Sequence, residues 1–180
     1  MDFSTSIFCF RRDLRPSDNT ALIQACSSSK NVVLCFVFDP RQIKNNEYMS
    51  KNAFNFMINS LKELKETLPI HVFYGYPEEV LLRISKKLEV EALFINEDYT
   101  PFSKTRDALI RRNLNNMNIK VFSCHDYLLT NPESIKSSEG KIYRIFAQFY
   151  NAVRRLEVKK PRKLEFINFY KSEIEGEIEI

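Results

Sequence analysis

Five short runs rich in β-branched and aromatic residues, each but the last followed by a stretch with helical apolar spacing, leave this chain few folds. The runs are Ile7–Phe10, Val32–Phe38, Ile70–Tyr74, Ala92–Ile95 and Ile119–Phe122. After the first, Ala21, Leu22, Ala25 and Cys26 make a helical stripe, with Ser17 or Asp18 as a natural N-cap. After the second, Phe54, Met57, Ile58, Leu61, Leu64 and Leu68 mark a long amphipathic helix. Val80, Leu81, Ile84 and Leu88 repeat the pattern behind Pro77. Leu109, Ile110, Leu114 and Met117 do so behind Thr100 as N-cap and Pro101 at the first helical position. Alternation of this kind predicts a three-layer α/β/α domain around a five-stranded parallel sheet.

A chain of 180 residues with 44% hydrophobic and 28% charged residues suits one soluble domain with a sizeable core. No apolar run approaches the roughly 20 residues needed to span a bilayer. The N-terminus lacks the basic region of a signal peptide, so the expected compartment is the cytosol, without a membrane partner. The four cysteines, at 9, 26, 35 and 124, read as buried thiols, because none has the paired spacing of a zinc or redox site. His71 and His125 likewise have no partner at metal-ligand spacing. With three glycines, the chain has neither a dinucleotide fingerprint nor a phosphate loop. A net charge of +4 permits contact with nucleic acid without arguing for it.

Beyond His125-Asp126 the alternation stops. Leu128–Ile135 reads as a loop, and Ile145, Phe146, Phe149, Val153 and Leu156 suggest a last helix. From there the chain is charged and aperiodic. The expected division is therefore a domain over 1–157 and a linker or frayed tail over 158–180.

Ligands of open α/β sheets bind where the strand order reverses, outside the carboxyl ends of the strands. With the common order 3-2-1-4-5, the crevice would open between the first and fourth strands. Arg11, Arg12, Asp13 and Arg15 would then face the segment Asn96-Glu97-Asp98-Tyr99-Thr100-Pro101-Phe102, with Asp39 and Arg41 next to them. Arginines, acids, an amide and aromatic edges over an apolar floor suit a flat conjugated ligand with polar substituents. In the alternative, Arg12 or Arg15 pairs with Asp13, Asp98 or Asp107 only to tie loops together.

The string from Phe10 to Leu22, FRRDLRPSDNTAL, resembles the N-terminal signature of the photolyase/cryptochrome family. NEDYTPFSKTRD, from Asn96 to Asp107, is similar to a second family segment that also follows a strand. Supporting matches lie in Phe56–Leu61, in Asp126-Tyr-Leu-Leu-Thr and in Tyr143–Tyr150. The likeness runs in order from about residue 6 to about residue 156. Asp39-Pro-Arg-Gln-Ile-Lys-Asn-Asn46 is closest to archaeal-type members.

The resemblance implies a Rossmann-like antenna domain binding a light-harvesting chromophore: FMN, FAD, a deazaflavin or a folate such as methenyltetrahydrofolate. On that reading Arg11, Arg12 and Asp13 orient the ligand or hold the loop. Asp39 and Arg41 line one side; Asn96, Glu97 and Asp98 line the other. Asn52 and Phe56 pack on the chromophore plane. In the family, a larger helical domain binds the FAD that repairs pyrimidine dimers flipped out of DNA. This chain has no Trp and matches only the first domain. Repair chemistry as a deoxyribodipyrimidine photo-lyase and direct DNA contact are therefore not expected from it alone. The expected partner is a separate FAD-binding domain, with Phe146, Phe149 and Tyr150 as its docking face. A stand-alone nucleotide-binding or protein-interaction module, a remnant of a split photolyase and a homo-oligomer stay open.

Overall fold

The computed structural model describes residues 1–44, 46–131, 134–137, 139–165 and 167–180. Its strands are β1 (Phe3–Phe10), β2 (Ser29–Phe38), β3 (Ile70–Tyr74), β4 (Ala92–Asn96) and β5 (Lys120–Cys124). The helices are α1 (Thr20–Ser28), α2 (Pro40–Ile43), α3 (Lys51–Thr67), α4 (Pro77–Lys87), α5 (Pro101–Asn115) and α6 (Phe146–Val153). All strand pairs are parallel, as the alternation predicts, and the sheet order is β3-β2-β1-β4-β5, the common order expected for this fold class.

The central strands are apolar on both faces because helices cover both. On one side Phe8, Phe10, Leu34 and Phe94 pack with Leu22 of α1 and Leu61 and Leu64 of α3. On the other, Ile7, Val33, Phe73 and Ile95 pack with Leu81 and Ile84 of α4 and Ile110 and Leu114 of α5. Each fully buried aliphatic or Phe side chain stabilises the fold by about 1.5–3 kcal/mol. Phe94 stacks on Phe122 at 4.8 Å, which ties the inner strand β4 to the edge strand β5.

Two expectations need correction. Neither Ser17 nor Asp18 caps α1; the cap is Asn19, whose side chain accepts from the Leu22 N–H at 3.2 Å. Asp18 sits in the left-handed region at φ 50° and instead exchanges hydrogen bonds with the backbone of Arg162. The short helix α2, capped by Asp39, was hidden from periodicity by its length of one turn.

The second correction concerns the end of the chain, which does not fray. Residues 159–163 are exposed, but beyond them the chain docks on the sheet. β2 starts before β3 and so has a free edge there. Val32 N–H donates to Asn168 O and Tyr170 N–H donates to Val32 O, closing a parallel bridge between Val32 and Phe169. Ile174 is 3% exposed, and Ile178 N–H donates to Val72 O. The segment Glu173-Ile174-Glu175-Gly176-Glu177-Ile178 is an alternating strand-like pattern that its charge disguised.

The last helix forms within the expected segment. Asn45, Pro132 and Glu133, which the archaeal-type run and the expected 128–135 loop include, lie outside the described residues. Among the described residues, no helix is long and apolar enough to cross a membrane.

Candidate chromophore crevice

β1 and β4 end side by side at the point where the strand order reverses, and their next residues meet in a buried polar lattice. Asn96 is fully buried. Its amide nitrogen donates to Asp13 Oδ2 and to Asn19 Oδ1, the latter at 2.8 Å. Its oxygen accepts the Ala21 N–H at 3.0 Å. Asp13, 3% exposed, also accepts the Arg11 N–H at 2.7 Å. Arg11 makes a two-pronged pair with Asp107, both contacts at 2.8 Å, and reaches Asn96 O. Asp107 in addition accepts from Arg106 Nε at 3.1 Å.

Every polar group of the Asn96 side chain is used, so the lattice fixes the two loops against each other. Thus Arg11, Asp13 and Asn96 come together, but as mutually satisfied groups that tie the β1 and β4 loops rather than as groups open to a ligand. Loops are tied by Arg11 with Asp107 and by Arg15 with Asp126 at 2.6 Å; of the pairings foreseen, Arg12 with Asp98 is present, at 3.9 Å.

The exposed candidates lie around this lattice. The Arg12 side chain is 71% exposed and stands 3.9 Å from Asp98 Oδ2, too far for a firm contact. Burial opposes ionisation of Asp98. Hydrogen bonds from the Thr100 N–H and the Ser103 hydroxyl, with Arg12, outweigh it and hold the carboxyl below its ordinary value. Glu97 turns to His125, with Oε2 2.8 Å from Nδ1. The Tyr127 hydroxyl accepts the Arg12 N–H at 3.3 Å. Burial, then the nearby Asp13 charge, pushes that phenol upward, so it stays protonated.

On the β2 side, Asp39 is buried and caps α2, while Arg41 grips both Asp39 and Glu78 in forked contacts of 2.7–3.1 Å. Hydrogen bonds that Arg41 donates to Asp39 outweigh partial burial and, with those to Glu78, hold the guanidinium charged well beyond its ordinary value. The same guanidinium lies 5.0 Å over Tyr76 and 5.5 Å over Phe102. Asn52 and Phe56 stand exposed on the first turns of α3. Among the described residues no hydrogen bond joins either to the lattice.

Sequence reasoning missed Asn19 and Arg106, and named Asp107 only as a partner for Arg12 or Arg15. Asn19 and Asp107 are short polar residues with no pattern of their own, although both lie inside the two motif strings. Arg106 is 7% exposed, and its Nη2 is a buried donor without an acceptor among the described residues, beside the start of α5. Aromatic rings also stand in water, with Tyr48 94%, Phe56 76% and Tyr76 43% exposed.

The family model for DNA photolyase matches residues 6–165. The chain belongs to the DNA photolyase family. A deoxyribodipyrimidine photo-lyase of Buchnera aphidicola subsp. Acyrthosiphon pisum is 33% identical over 158 residues, which are 82% of this chain and 32% of that protein. A cryptochrome DASH of Idiomarina loihiensis is 30% identical over 62% of this chain and 27% of its own length. The archaeal photolyase from Sulfolobus tokodaii, solved with two FAD molecules, superposes with a TM-score of 0.84 at 42% identity. That match covers 92% of this chain and 38% of that one. A bacterial class III photolyase from Agrobacterium tumefaciens shares the fold, with a TM-score of 0.84 at 21% identity. The chain spans about a third of the length of the curated photolyases it matches. It corresponds to the photolyase N-terminal Rossmann-like domain.

Proposed function

We propose that this chain is the antenna domain of a photolyase and that its crevice holds a flavin-type chromophore, FAD before FMN, a deazaflavin or a folate. The preference for FAD comes from the archaeal photolyase, 42% identical, whose structure contains two FAD molecules and implies a light-harvesting one. The observation that carries the reading is the division of labour at the carboxyl end of the sheet. A saturated lattice fixes the β1 and β4 loops, and polar and aromatic side chains with spare capacity stand around it. Pre-organised loops bind a rigid ring with less ordering cost.

A flavin bound there would supply light absorption. The residues of this chain bind it, orient it and exclude water. Arg12 offers an exposed guanidinium paired only loosely with Asp98 at 3.9 Å, and Asp98 offers a carboxylate kept ionised by its neighbours, Arg12 among them. Phe56 offers an exposed face, with Asn52 one turn before it. Asp39 and Arg41 satisfy each other, and the Arg41 plane already lies over Tyr76 and Phe102, so they shape one bank rather than contact the ligand by charge. Arg106 contributes a donor still lacking an acceptor. Titration of the purified chain with FAD, FMN, deazaflavin and a folate, followed by fluorescence quenching, tests the assignment. Saturable binding of a flavin supports it; no saturable binding of any of the four defeats it.

The partner in this reading is a helical FAD-binding domain that docks on α6. Ile145, Phe146 and Tyr150 are 57%, 75% and 52% exposed, and no α6 residue is buried. A helix of eight residues without tertiary cover is marginal in water. The relatives carry about twice this length again beyond the matched part, which is enough chain to cover it. Light-driven repair of DNA would then belong to the assembled pair.

A further inference from the structure

We propose that His71 is an ionisable latch, holding the last segment of the chain on the sheet edge only while its ring carries two protons. His71 lies near the start of β3 with its side chain 6% exposed. Its Nδ1 is 2.8 Å from Glu177 Oε1, and its Nε2 is 3.3 Å from the Tyr170 carbonyl oxygen. A carboxylate and a carbonyl can only accept. Both contacts are hydrogen bonds in the imidazolium alone. A neutral ring donates from one nitrogen and turns a lone pair toward an oxygen at the other.

The two acceptors belong to the segment that closes the sheet. Tyr170 adjoins the bridge to Val32, and Glu177 lies between Ile174, which is buried, and Ile178, which donates to Val72 O. Glu177 Oε1 also accepts the Ile174 N–H, so one carboxylate shapes the turn and grips the ring. Gly176 is required there. At φ 85° any side chain is strained.

The other ionisable groups around the ring do not share its contacts. Cys35 holds the matching register on β2, where its hydrogen bond to Cys9 and burial push the thiol up and leave it neutral. The Tyr170 ring is 5.9 Å away. On α4, Lys87 pairs with Glu175 in water and Arg83 lies over Gly176. The sign follows from the proton count. Docking is favoured while Glu177 is ionised and His71 is charged. It weakens in acid as the carboxylate is neutralised, and again as pH rises and the ring loses its second proton. Release would uncover Ile174 and the free edge of β3, a row of backbone groups open to pairing.

The latch sits away from the carboxyl-end crevice, so it stands or falls separately from the chromophore reading. The test is nitrogen NMR of the His71 ring together with amide exchange protection at Tyr170 and Ile178, each relative to the core amide of Leu34, in the full chain. As pH is raised and the observed ring goes from two protons to one, protection at both amides should fall about ten-fold or more. Glu177→Gln should lower protection on the acid side and flatten the profile, while Lys87→Gln should leave the profile unchanged. A ring with a single proton throughout, or protection unchanged as the ring titrates, would overturn the latch.

Discussion

The turn after β1 and the helix α6 are opposite kinds of surface. In the first, Asp13, Asn19 and Asn96 are buried and satisfy one another. In the second, aromatic rings face water and Phe146 stacks mainly on Tyr150, at 6.0 Å. A polar lattice without spare valence is finished by folding alone, and what it supports is geometry. An apolar face left in water is finished only by another body. The contrast teaches that folding alone completes the loops of the proposed ligand site and leaves the proposed partner surface in water.

The sharpest way to break the contrast is Asn96→Ala, which strips partners from Asp13, Asn19 and the Ala21 N–H together. Urea unfolding should show a loss of about 3 kcal/mol. Arg11→Ala comes next, at about 2 kcal/mol, less than for a fully buried pair because Asp107 is partly exposed and keeps Arg106. Its neighbour should behave differently. Arg12→Ala should leave stability within about 0.5 kcal/mol while weakening flavin binding about ten-fold, or about 1.4 kcal/mol, by fluorescence titration. If Arg12 proved as costly to stability as Arg11, the split between loop-tying residues and residues open to a ligand would fail.

On the other surface, Phe146→Ser should also change stability by less than about 0.5 kcal/mol. It should nevertheless abolish co-elution with a helical FAD-binding domain in size-exclusion chromatography. The smallest effect concerns Asp98. Its carboxyl is held low in the folded state, so its stabilisation is present above the ordinary carboxylate range and lost as pH falls through the folded value. Asp98→Asn should therefore make the acid limb of the stability profile slightly shallower and leave the neutral region flat, as read by thermal unfolding against pH.

How much of this was legible in the sequence divides along the same line. The sheet could be read because each strand is a continuous apolar run and each major helix has its stripe, and burial acts on those patterns directly. The two loops of the lattice were legible as places, through their motif strings. The roles inside them were not, since neither Arg11 nor Arg12 carries a mark telling which will be buried. That depends on Asp107, nearly two helix turns into α5 and distant in the chain. The end of the chain was misjudged because charge at every second position resembles a solvated tail. Those same glutamates leave Ile174 and Ile178 free to face the sheet.

The most direct measurement is a map of backbone amide shifts on adding FAD to the isotope-labelled chain. Shifts concentrated at Arg12, Asn52, Phe56 and Asp98, with Val72 and Ile178 unmoved, are the predicted result. Saturating FAD that perturbs none of those four, or perturbs only the opposite end of the sheet, would contradict it.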